Sequence, residues 1–265
     1  MNAPLPRHAI PGYEEIANVS NEVAGRLAQR LKDETQGEVL FSLPDRGRYA
    51  TDASIYQQIP VGAFVPSSSN DIKTALDICR DLKVPIVPRG GGTSQCGQTV
   101  GAGLVIDHSK HVRQVLNIDA QQRTAEVEPG IVLDHLNAAL KPHGLWYPVD
   151  VSTSAQATLG GMAGNNSCGS RSIAYGNMVH NVIGAKAWLA DGSLLDFCDF
   201  AHSTGRARQV GEFVQGLVTG LLPEIEAHWP KVLRRVAGYN LDIFHNQNEK
   251  PYTTDGSVNL AHLLV

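Results

Sequence analysis

The sequence has 265 residues, of which 42% are apolar and 18% charged, and its formal net charge is −4. A chain of this length forms one large domain or two small ones, and a slightly acidic balance without blocks of like charge offers no surface for nucleic acid. No run of about 20 apolar residues is present, so no membrane span is predicted. The N-terminal segment has no apolar signal-peptide core, and no two of the four cysteines form a C-x-x-C pair, so we expect a cytoplasmic protein with reduced thiols.

The first half of the chain predicts a strand–helix–strand unit. Apolar residues near helical spacing predict a helix over residues 13–34, and the run VGAFV predicts a strand at 61–65. Asn70 and Asp71 are typical helix-start residues, and VPIV at 84–87 predicts the next strand. A glycine-rich stretch then follows the carboxyl end of that strand, where ligands of α/β sheets bind. The helix that begins at Asn70 and Asp71 is predicted to bury one face, formed by Ile72, Ala75, Leu76, Cys79 and Leu82.

Beyond the glycines, short strands alternate with helices. The pair Asp191-Gly192 between two apolar runs is the clearest hairpin signal. The predicted elements are a strand at 103–107, a hairpin at 112–129, a helix at 130–144 that ends near Pro142 and Gly144, a hairpin at 181–197 and a helix at 209–227. This mixture predicts an α+β fold with two packed lobes.

Three consecutive glycines follow the second predicted strand, in the stretch PRGGGTSQCGQ at residues 88–98. Glycine loses more backbone entropy on folding than any other residue, so three in a row require a reason. One reason is a phosphate-binding loop, in which bare main-chain N–H groups point at an anion; the other is a tight turn. A Walker loop is excluded because the stretch has no lysine, and a G-x-G-x-x-G fingerprint fails at Gln95.

A second glycine-rich stretch, ATLGGMAGNNSCG at residues 157–169, favours the phosphate interpretation. Two loops of bare main chain suit a ligand with two or more phosphates, whereas a tight turn explains only one of them. Neither stretch has a cluster of charged side chains. We therefore expect the phosphates to be held mainly by main-chain amides.

Other catalytic chemistry has weaker support in the sequence. The G-x-S-x-G motif of serine hydrolases is absent. Cys168 could be a nucleophile, but nothing nearby in the sequence marks a base. The alternative interpretation is that Cys168 is a small residue packed in a crowded loop. His108 and His111 occur without an H-E-x-x-H motif, so we interpret them as surface histidines, and no metal site is predicted.

Three stretches together carry a family resemblance. PRGGGTSQCGQ, PVDVSTSAQATLGGMAGNNSCG and AYGNMVHNVIGAKAWLADG occur in this order. They resemble the FAD-linked oxidases of the p-cresol methylhydroxylase (PCMH) and vanillyl-alcohol oxidase fold, and more closely the branch of D-lactate, glycolate and D-2-hydroxyglutarate dehydrogenases. The resemblance implies an α+β, two-lobed PCMH-type FAD-binding domain over residues 50–265, preceded by a helical N-terminal extension over residues 1–49.

The resemblance also implies which residues bind FAD. The pyrophosphate would be wrapped by Arg89, Gly90, Gly91, Gly92, Thr93 and Ser94, and the flavin end would be approached by Gly97 and Gln98. In the second motif the cofactor cleft would be lined by Pro148, Ser152, Thr158, Gly160, Gly161, Gly164 and Asn166. Tyr175 and Gly176 match the family's YG pair. Main-chain atoms of Val182, Ile183 and Gly184 would lie beside the adenine or its ribose.

The chain departs from the family pattern at two places. Members with a histidyl-linked flavin have histidine where this chain has Thr93, so we predict that FAD is bound without a covalent link. The chain ends at NLAHLLV, where the family continues into a GSEGT turn, further strands and a substrate domain. We therefore expect a C-terminally truncated fragment whose last apolar run is a strand with an exposed edge.

For the whole enzyme the resemblance implies hydride transfer from C2 of a small-molecule D-2-hydroxy acid to the flavin. A base would take the hydroxyl proton, and an arginine or a metal would hold the carboxylate. The family places those groups mainly outside this chain, so no catalytic residue, electron acceptor or oligomeric state is assigned. Two alternatives stay open: a non-catalytic fragment that binds flavin weakly or assists a partner chain, and an NADPH-dependent cell-wall precursor reductase of the same fold.

Overall fold

The computed structural model describes residues 19–232, 234–235, 238–245 and 250–265, which form two compact units. Unit 1 contains the described residues up to Leu116 and the short segments Glu126–Ile131 and Ala190–Gly192. Unit 2 contains Asn117–Ala125, Val132–Leu189 and the described residues from Ser193 onward. Both helices and strands are present, which confirms the predicted α+β class.

Helices and short strands alternate along the chain. The helices are α1 (Asn21–Glu34), α2 (Leu43–Arg48), α3 (Ser69–Leu82), α4 (Leu133–Leu140), α5 (Leu159–Gly164), α6 (Ser172–Tyr175), α7 (Gly205–Gly220) and α8 (Leu222–His228). The strands are β1 (Glu38–Leu40), β2 (Gly62–Val65), β3 (Ile86–Arg89), β4 (Leu104–Asp107), β5 (Val115–Asp119), β6 (Thr124–Val127), β7 (Ala185–Trp188) and β8 (Leu194–Phe197). Short 3₁₀ helices cover Lys141–His143, Met178–Asn181, Phe200–His202, Leu241–Phe244 and Leu260–Leu263. The strands predicted between residues 61 and 197 are all present, with boundaries displaced by a few residues.

Unit 1 is built around a four-stranded sheet with the order β1-β2-β4-β3. Strands β2, β4 and β3 are parallel, and β1 lies antiparallel to β2 at one edge. All four residues of β2 are buried, which is typical of strands covered on both faces. The predicted strand–helix–strand unit is β2–α3–β3, and β4 lies between its two strands.

Helices α1 and α3 contribute apolar faces to the core of unit 1. Leu27 and Leu31 of α1 are fully buried in one cluster with Phe64 of β2 and Ile78 of α3. Each such side chain stabilises the fold by about 1.5–3 kcal/mol when it is fully buried. The predicted helix therefore forms from Asn21 onward, while its part before residue 19 lies outside the described residues. The domain boundary at residue 49 stays a prediction.

The buried face of α3 differs from the predicted one. The carboxylate of Asp71 accepts a hydrogen bond from the main-chain N–H of Ser67 at 2.9 Å, and Asp71 is itself buried. Ile78 is fully buried, whereas Ile72, Leu76 and Leu82 are half-buried. The predicted burial of Ala75 and Cys79 is confirmed, and burial raises the pKa of the Cys79 thiol to about 12.

Strand β3 begins later than the sequence pattern predicts. Lys83 ends helix α3 in the left-handed conformation, with φ of 54°, and the main-chain N–H of Val84 donates to the carbonyl of Cys79 at 2.8 Å. Val84 and Pro85 are therefore used in the turn, and the strand runs to Arg89. The glycine-rich loop follows directly.

The second half of the chain contains the predicted hairpins and helices. Strands β5 and β6 form one two-stranded sheet, and β7 and β8 form an antiparallel pair in which Ala185 lies opposite Phe197. The helix predicted at 209–227 is divided into α7 and α8 near Leu221. Pro223 explains the break, because it has no N–H to donate to the carbonyl of Thr219 one turn earlier.

The apolar run at the end of the sequence is not a strand, so that prediction was wrong. Leu260–Leu263 form a 3₁₀ helix, and Leu260 is fully buried. The side chain of Asn259 accepts from the main-chain N–H of Ala261 at 2.9 Å. The Asn240 amide donates to the carbonyls of His262 at 2.9 Å and Val265 at 2.6 Å. The side chains of Asn259 and Asn240 thus bond main-chain N–H and carbonyl groups. In a strand, such groups would instead bond to a neighbouring strand.

Candidate functional site

The first glycine loop lies directly after β3 in unit 1. Among its described glycines, Gly92 and Gly97 have positive φ, 64° and 73° respectively, so these two positions require glycine. Gly91 is exposed and Gly90 is half-buried. The Gly92 carbonyl accepts a hydrogen bond from the main-chain N–H of Ala53 at 3.0 Å, which fixes the loop to the preceding segment.

The Arg89 side chain packs against the Cα of Gly92. A methyl group added to Gly92 would lie 2.6 Å from Nη2 of Arg89, closer than any real contact allows. The other terminal nitrogen of Arg89, Nη1, is buried and has no hydrogen-bond partner within the described part of the chain. A cation with an unsatisfied donor therefore lies against the glycine loop, a feature that the sequence analysis did not anticipate.

Ser94 folds the second half of this loop. Its hydroxyl accepts from the main-chain N–H groups of Cys96 at 3.1 Å and Gln98 at 3.4 Å, and it donates to the Gln98 side chain at 2.8 Å. Gly97 packs on the ring of Tyr56, where an added methyl group would lie 2.7 Å from a ring carbon. An open cavity of about 320 Å³ beside these residues is lined by Tyr56, Gln57, Gln58, Cys96, Gly97 and Val100.

The second glycine-rich stretch forms the short helix α5 in unit 2. Thr158 precedes the helix and is buried, and a methyl group on Gly161 would lie 3.2 Å from its hydroxyl oxygen. Gly161 and Gly164 are exposed, and Gly160 is half-buried. A methyl group on Gly164 would contact no atom within 4 Å. These glycines therefore present bare main chain at the surface of unit 2.

Asn166 has a structural role inside unit 2. It is buried and has a φ of 37°, a conformation that asparagine tolerates better than most residues. Its side-chain oxygen accepts from the main-chain N–H of Val179 at 3.1 Å, and its amide donates to the carbonyl of Arg235 at 3.0 Å. Both ends of the side chain are occupied by protein groups, so Asn166 shapes the loop.

The YG pair ends helix α6. Gly176 has a φ of 84°, and a methyl group there would lie 2.7 Å from Cβ of His180. Nδ1 of His180 accepts from the main-chain N–H of Asn177 at 3.1 Å, and burial lowers the pKa of this histidine. Tyr175 is exposed and contacts the edge of Trp146, with ring centroids 5.4 Å apart.

The last predicted segment, Val182 to Gly184, is held by side chains from the end of the chain. His262 donates from Nε2 to the Val182 carbonyl at 2.8 Å, and the Asn259 amide donates to the Ile183 carbonyl at 2.8 Å. Burial lowers the pKa of His262, which favours the neutral ring. Neither His262 nor Asn259 was predicted from the sequence. A lone histidine inside an apolar run was the signal, because a buried imidazole needs a hydrogen-bond partner.

Pro148 is half-buried and Ser152 is exposed. Between them, Asp150 organises the loop that follows α5. Its carboxylate accepts from the main-chain N–H of Arg171 at 3.1 Å and the Ser170 hydroxyl at 2.7 Å. A methyl group on Gly169 would lie 2.1 Å from the same carboxylate. The sequence analysis did not single out Asp150.

The predicted site residues fall into two groups. Arg89 to Gln98 belong to unit 1, and Pro148 to Gly184 belong to unit 2, each group lying within its own unit. Within the described ranges, no cluster of three or more His, Cys, Asp or Glu side chains could hold a metal ion. The same residues include no helix with the length and apolar character needed to cross a bilayer.

Comparisons with known proteins agree with the fold. A family model described as an FAD binding domain matches residues 60–197. The chain is 34% identical over 196 residues to a D-2-hydroxyglutarate dehydrogenase of Haemophilus influenzae, covering 71% of this chain and 18% of that enzyme. It is 38% identical over 182 residues to glycolate oxidase subunit GlcD of Bacillus subtilis, covering 67% of this chain and 37% of that subunit.

A solved structure of alkyldihydroxyacetonephosphate synthase matches with a TM-score of 0.61 at 18% identity, covering 70% of this chain and 37% of that one. At this identity the likeness is one of fold. The chain spans less than half of each of these three proteins. The FAD-binding fold predicted from the sequence is confirmed.

Proposed function

Because this chain belongs to the FAD binding domain family, we propose that it binds FAD without a covalent link, within a flavoprotein that oxidises D-2-hydroxy acids. The observation that carries this proposal is the first glycine loop. Its bare main chain at Gly90 to Gly92 lets amide groups approach an anion, and the buried Nη1 of Arg89 lacks a partner. An anion at this loop would satisfy that donor, so the residues fit the diphosphate of FAD.

On the family resemblance, residues of unit 2 are also assigned to FAD, through their main chain. Gly160, Gly161 and Gly164 have no side chains that would keep a ligand from the backbone of α5. The carbonyls of Val182 and Ile183 are already bonded to His262 and Asn259, which fixes the main chain that we assign to the adenine end. Asn166 would act by shaping its loop.

Thr93 supports the non-covalent link. A threonine side chain has no nucleophilic nitrogen to attach to the flavin, unlike the histidine of the covalently linked members. The cofactor would then be held by hydrogen bonds and packing, and unfolding would release it. Its oxidised ring, when bound, supplies the acceptor for a hydride.

For the whole protein we infer a small 2-hydroxy acid as the substrate. The named relatives act on D-2-hydroxyglutarate and glycolate, which share a hydroxyl group next to a carboxylate. No residue of this chain is assigned the role of the base. The four cysteines are free, which supports the cytoplasm as the compartment.

The second candidate is a flavin-binding chain without turnover of its own. The small share of each relative that this chain covers favours this candidate. The chain matches only 18% of the Haemophilus influenzae enzyme and 37% of the Bacillus subtilis subunit. The two candidates share the FAD site and differ in whether a 2-hydroxy acid is oxidised.

One experiment tests the cofactor link and the reaction together. The chain, and any longer protein that contains it, are loaded with FAD, mixed anaerobically with D-2-hydroxyglutarate, D-lactate or glycolate, and then precipitated with acid. We expect one of these acids to bleach the flavin absorbance, and all flavin to appear in the acid supernatant. Flavin that stays with the washed pellet would contradict the non-covalent link. Bleaching by none of the acids would favour the second candidate.

A further inference from the structure

We propose that Tyr49 and Asp107 are positioning residues that keep the charge of Arg89 available for the FAD diphosphate. The inference rests on the proposed function, and it assigns an anion-binding side chain to a loop whose phosphates were expected to be held by main-chain amides. It also brings Tyr49, which lies just before the predicted start of the FAD-binding domain at residue 50, into the cofactor site.

Arg89 and Asp107 are neighbours in the sheet that nevertheless make no ion pair. They end the parallel strands β3 and β4, and their Cα atoms are register partners. A cation and a carboxylate in this arrangement would ordinarily pair. Among the described residues, however, Arg89 has no carboxylate within ion-pair distance, and its Nη1 is buried with no hydrogen-bond partner.

The Asp107 carboxylate is occupied by other donors. The Tyr49 hydroxyl donates to Oδ2 at 2.9 Å, and the main-chain N–H and hydroxyl of Ser109 donate to Oδ1 at 2.9 and 2.6 Å. Burial and the neighbouring carboxylate raise the pKa of Tyr49, so the phenol remains a donor. Three hydrogen bonds therefore hold Asp107 away from Arg89.

The Tyr49 ring provides a platform for the guanidinium. Cζ of Arg89 lies 5.5 Å from the ring centroid, within the range of a cation–π contact. The guanidinium also abuts Gly92, where an added Cβ would lie 2.6 Å from Nη2. The cation thus contacts both the aromatic ring and the bare loop, and no carboxylate among the described residues forms an ion pair with it. A bound diphosphate is the anion that this arrangement would accept.

The test is a titration of the chain with FAD, followed by flavin fluorescence, at low and at high salt. Arg89→Met should weaken FAD binding by at least about tenfold at low salt, the contribution of a charge-assisted hydrogen bond, and should flatten the salt dependence. Tyr49→Leu should weaken binding about three- to tenfold and flatten the salt dependence, because it removes the ring beneath the guanidinium and frees Asp107 to pair with Arg89 and neutralise its charge.

Two comparisons separate positioning from a general loss of structure. The double variant Tyr49→Leu/Arg89→Met should bind no more weakly than Arg89→Met alone, because both changes act on one interaction. Tyr49→Phe keeps the ring but removes the hydrogen bond to Asp107, so it should bind FAD more weakly than the unchanged chain and more tightly than Tyr49→Leu. Arg26→Met on α1 removes an exposed charge of the same sign, and should leave both the affinity and the salt dependence unchanged.

The outcomes distinguish this inference from the proposal on which it rests. An unchanged chain that is folded but binds no FAD would overturn the proposed function, and the role of Arg89 with it. FAD binding that is equal in the unchanged chain and in Arg89→Met would overturn only the inference. Independent, additive losses in Tyr49→Leu and Arg89→Met would overturn the positioning role of Tyr49.

Discussion

Replacing Gly92 with valine is expected to remove measurable FAD binding from this chain. Gly92 has a φ of 64°, a conformation in which a β-branched residue is a genuine outlier. Its added Cβ would also lie 2.6 Å from Nη2 of Arg89. Relief of this contact would move either the loop or the guanidinium, and both belong to the proposed diphosphate site. The measurement is an FAD titration of the purified variant, with circular dichroism to confirm that it is folded.

Gly144 offers a matched control for the backbone strain. It has a φ of 68°, nearly that of Gly92, but a methyl group there would contact no atom within 4 Å. Gly144→Val should therefore show a similar conformational cost and keep its FAD affinity. If Gly92→Val is folded and binds FAD as tightly as Gly144→Val, the assignment of this loop is wrong. Gly92→Ala, a smaller change at the same position, serves if the valine variant does not fold.

The largest expected loss of stability lies in unit 2, at Asp242. Its side chain is fully buried, Arg235 donates to it from Nη2 at 3.0 Å, and the Tyr252 hydroxyl donates to it at 3.0 Å. Asp242→Asn preserves the shape but removes the counter-charge that Asp242 supplies to Arg235, whose side chain is 10% exposed. Breaking a buried pair in this way costs about 3–5 kcal/mol, a large part of the roughly 5–15 kcal/mol that stabilises a typical domain.

The free energy of unfolding is measured by urea denaturation, followed by tryptophan fluorescence. Glu224→Gln is the matched control, since it makes the same acid-to-amide change in unit 2 at an exposed pair, with His228 at 3.5 Å. The control should lose less than about 1 kcal/mol, as surface pairs do. Equal losses in the two variants would contradict the view that Asp242 anchors this region.

Local patterns predicted the elements that frame the site. The glycine-rich loop after β3 and the hairpin at Asp191-Gly192 follow from short-range rules on turns and apolar runs, and the structure contains both. The FAD-binding motifs are also continuous stretches of sequence. The family match, and with it the cofactor, could therefore be predicted from the sequence. Positive φ at Gly92 explains why at least one of the three glycines cannot be replaced.

Features that depend on distant residues could not be predicted in this way. The final apolar run matches a strand pattern, but Asn240 and Asn259 satisfy its main chain and favour a 3₁₀ helix. A short apolar run does not distinguish these outcomes. Likewise, Arg89 forms no ion pair among the described residues, while Tyr49 bonds to Asp107, a three-residue arrangement that no single stretch of sequence contains.

Titration of the unchanged 265-residue chain with FAD tests the central claim most directly. The titration is followed by flavin fluorescence and checked by equilibrium dialysis, with Gly92→Val and Gly144→Val titrated in parallel. The account predicts saturable binding of one FAD per chain, loss of that binding in Gly92→Val and its retention in Gly144→Val. A folded chain that shows no saturable FAD binding, or one whose binding is the same in all three proteins, would contradict it.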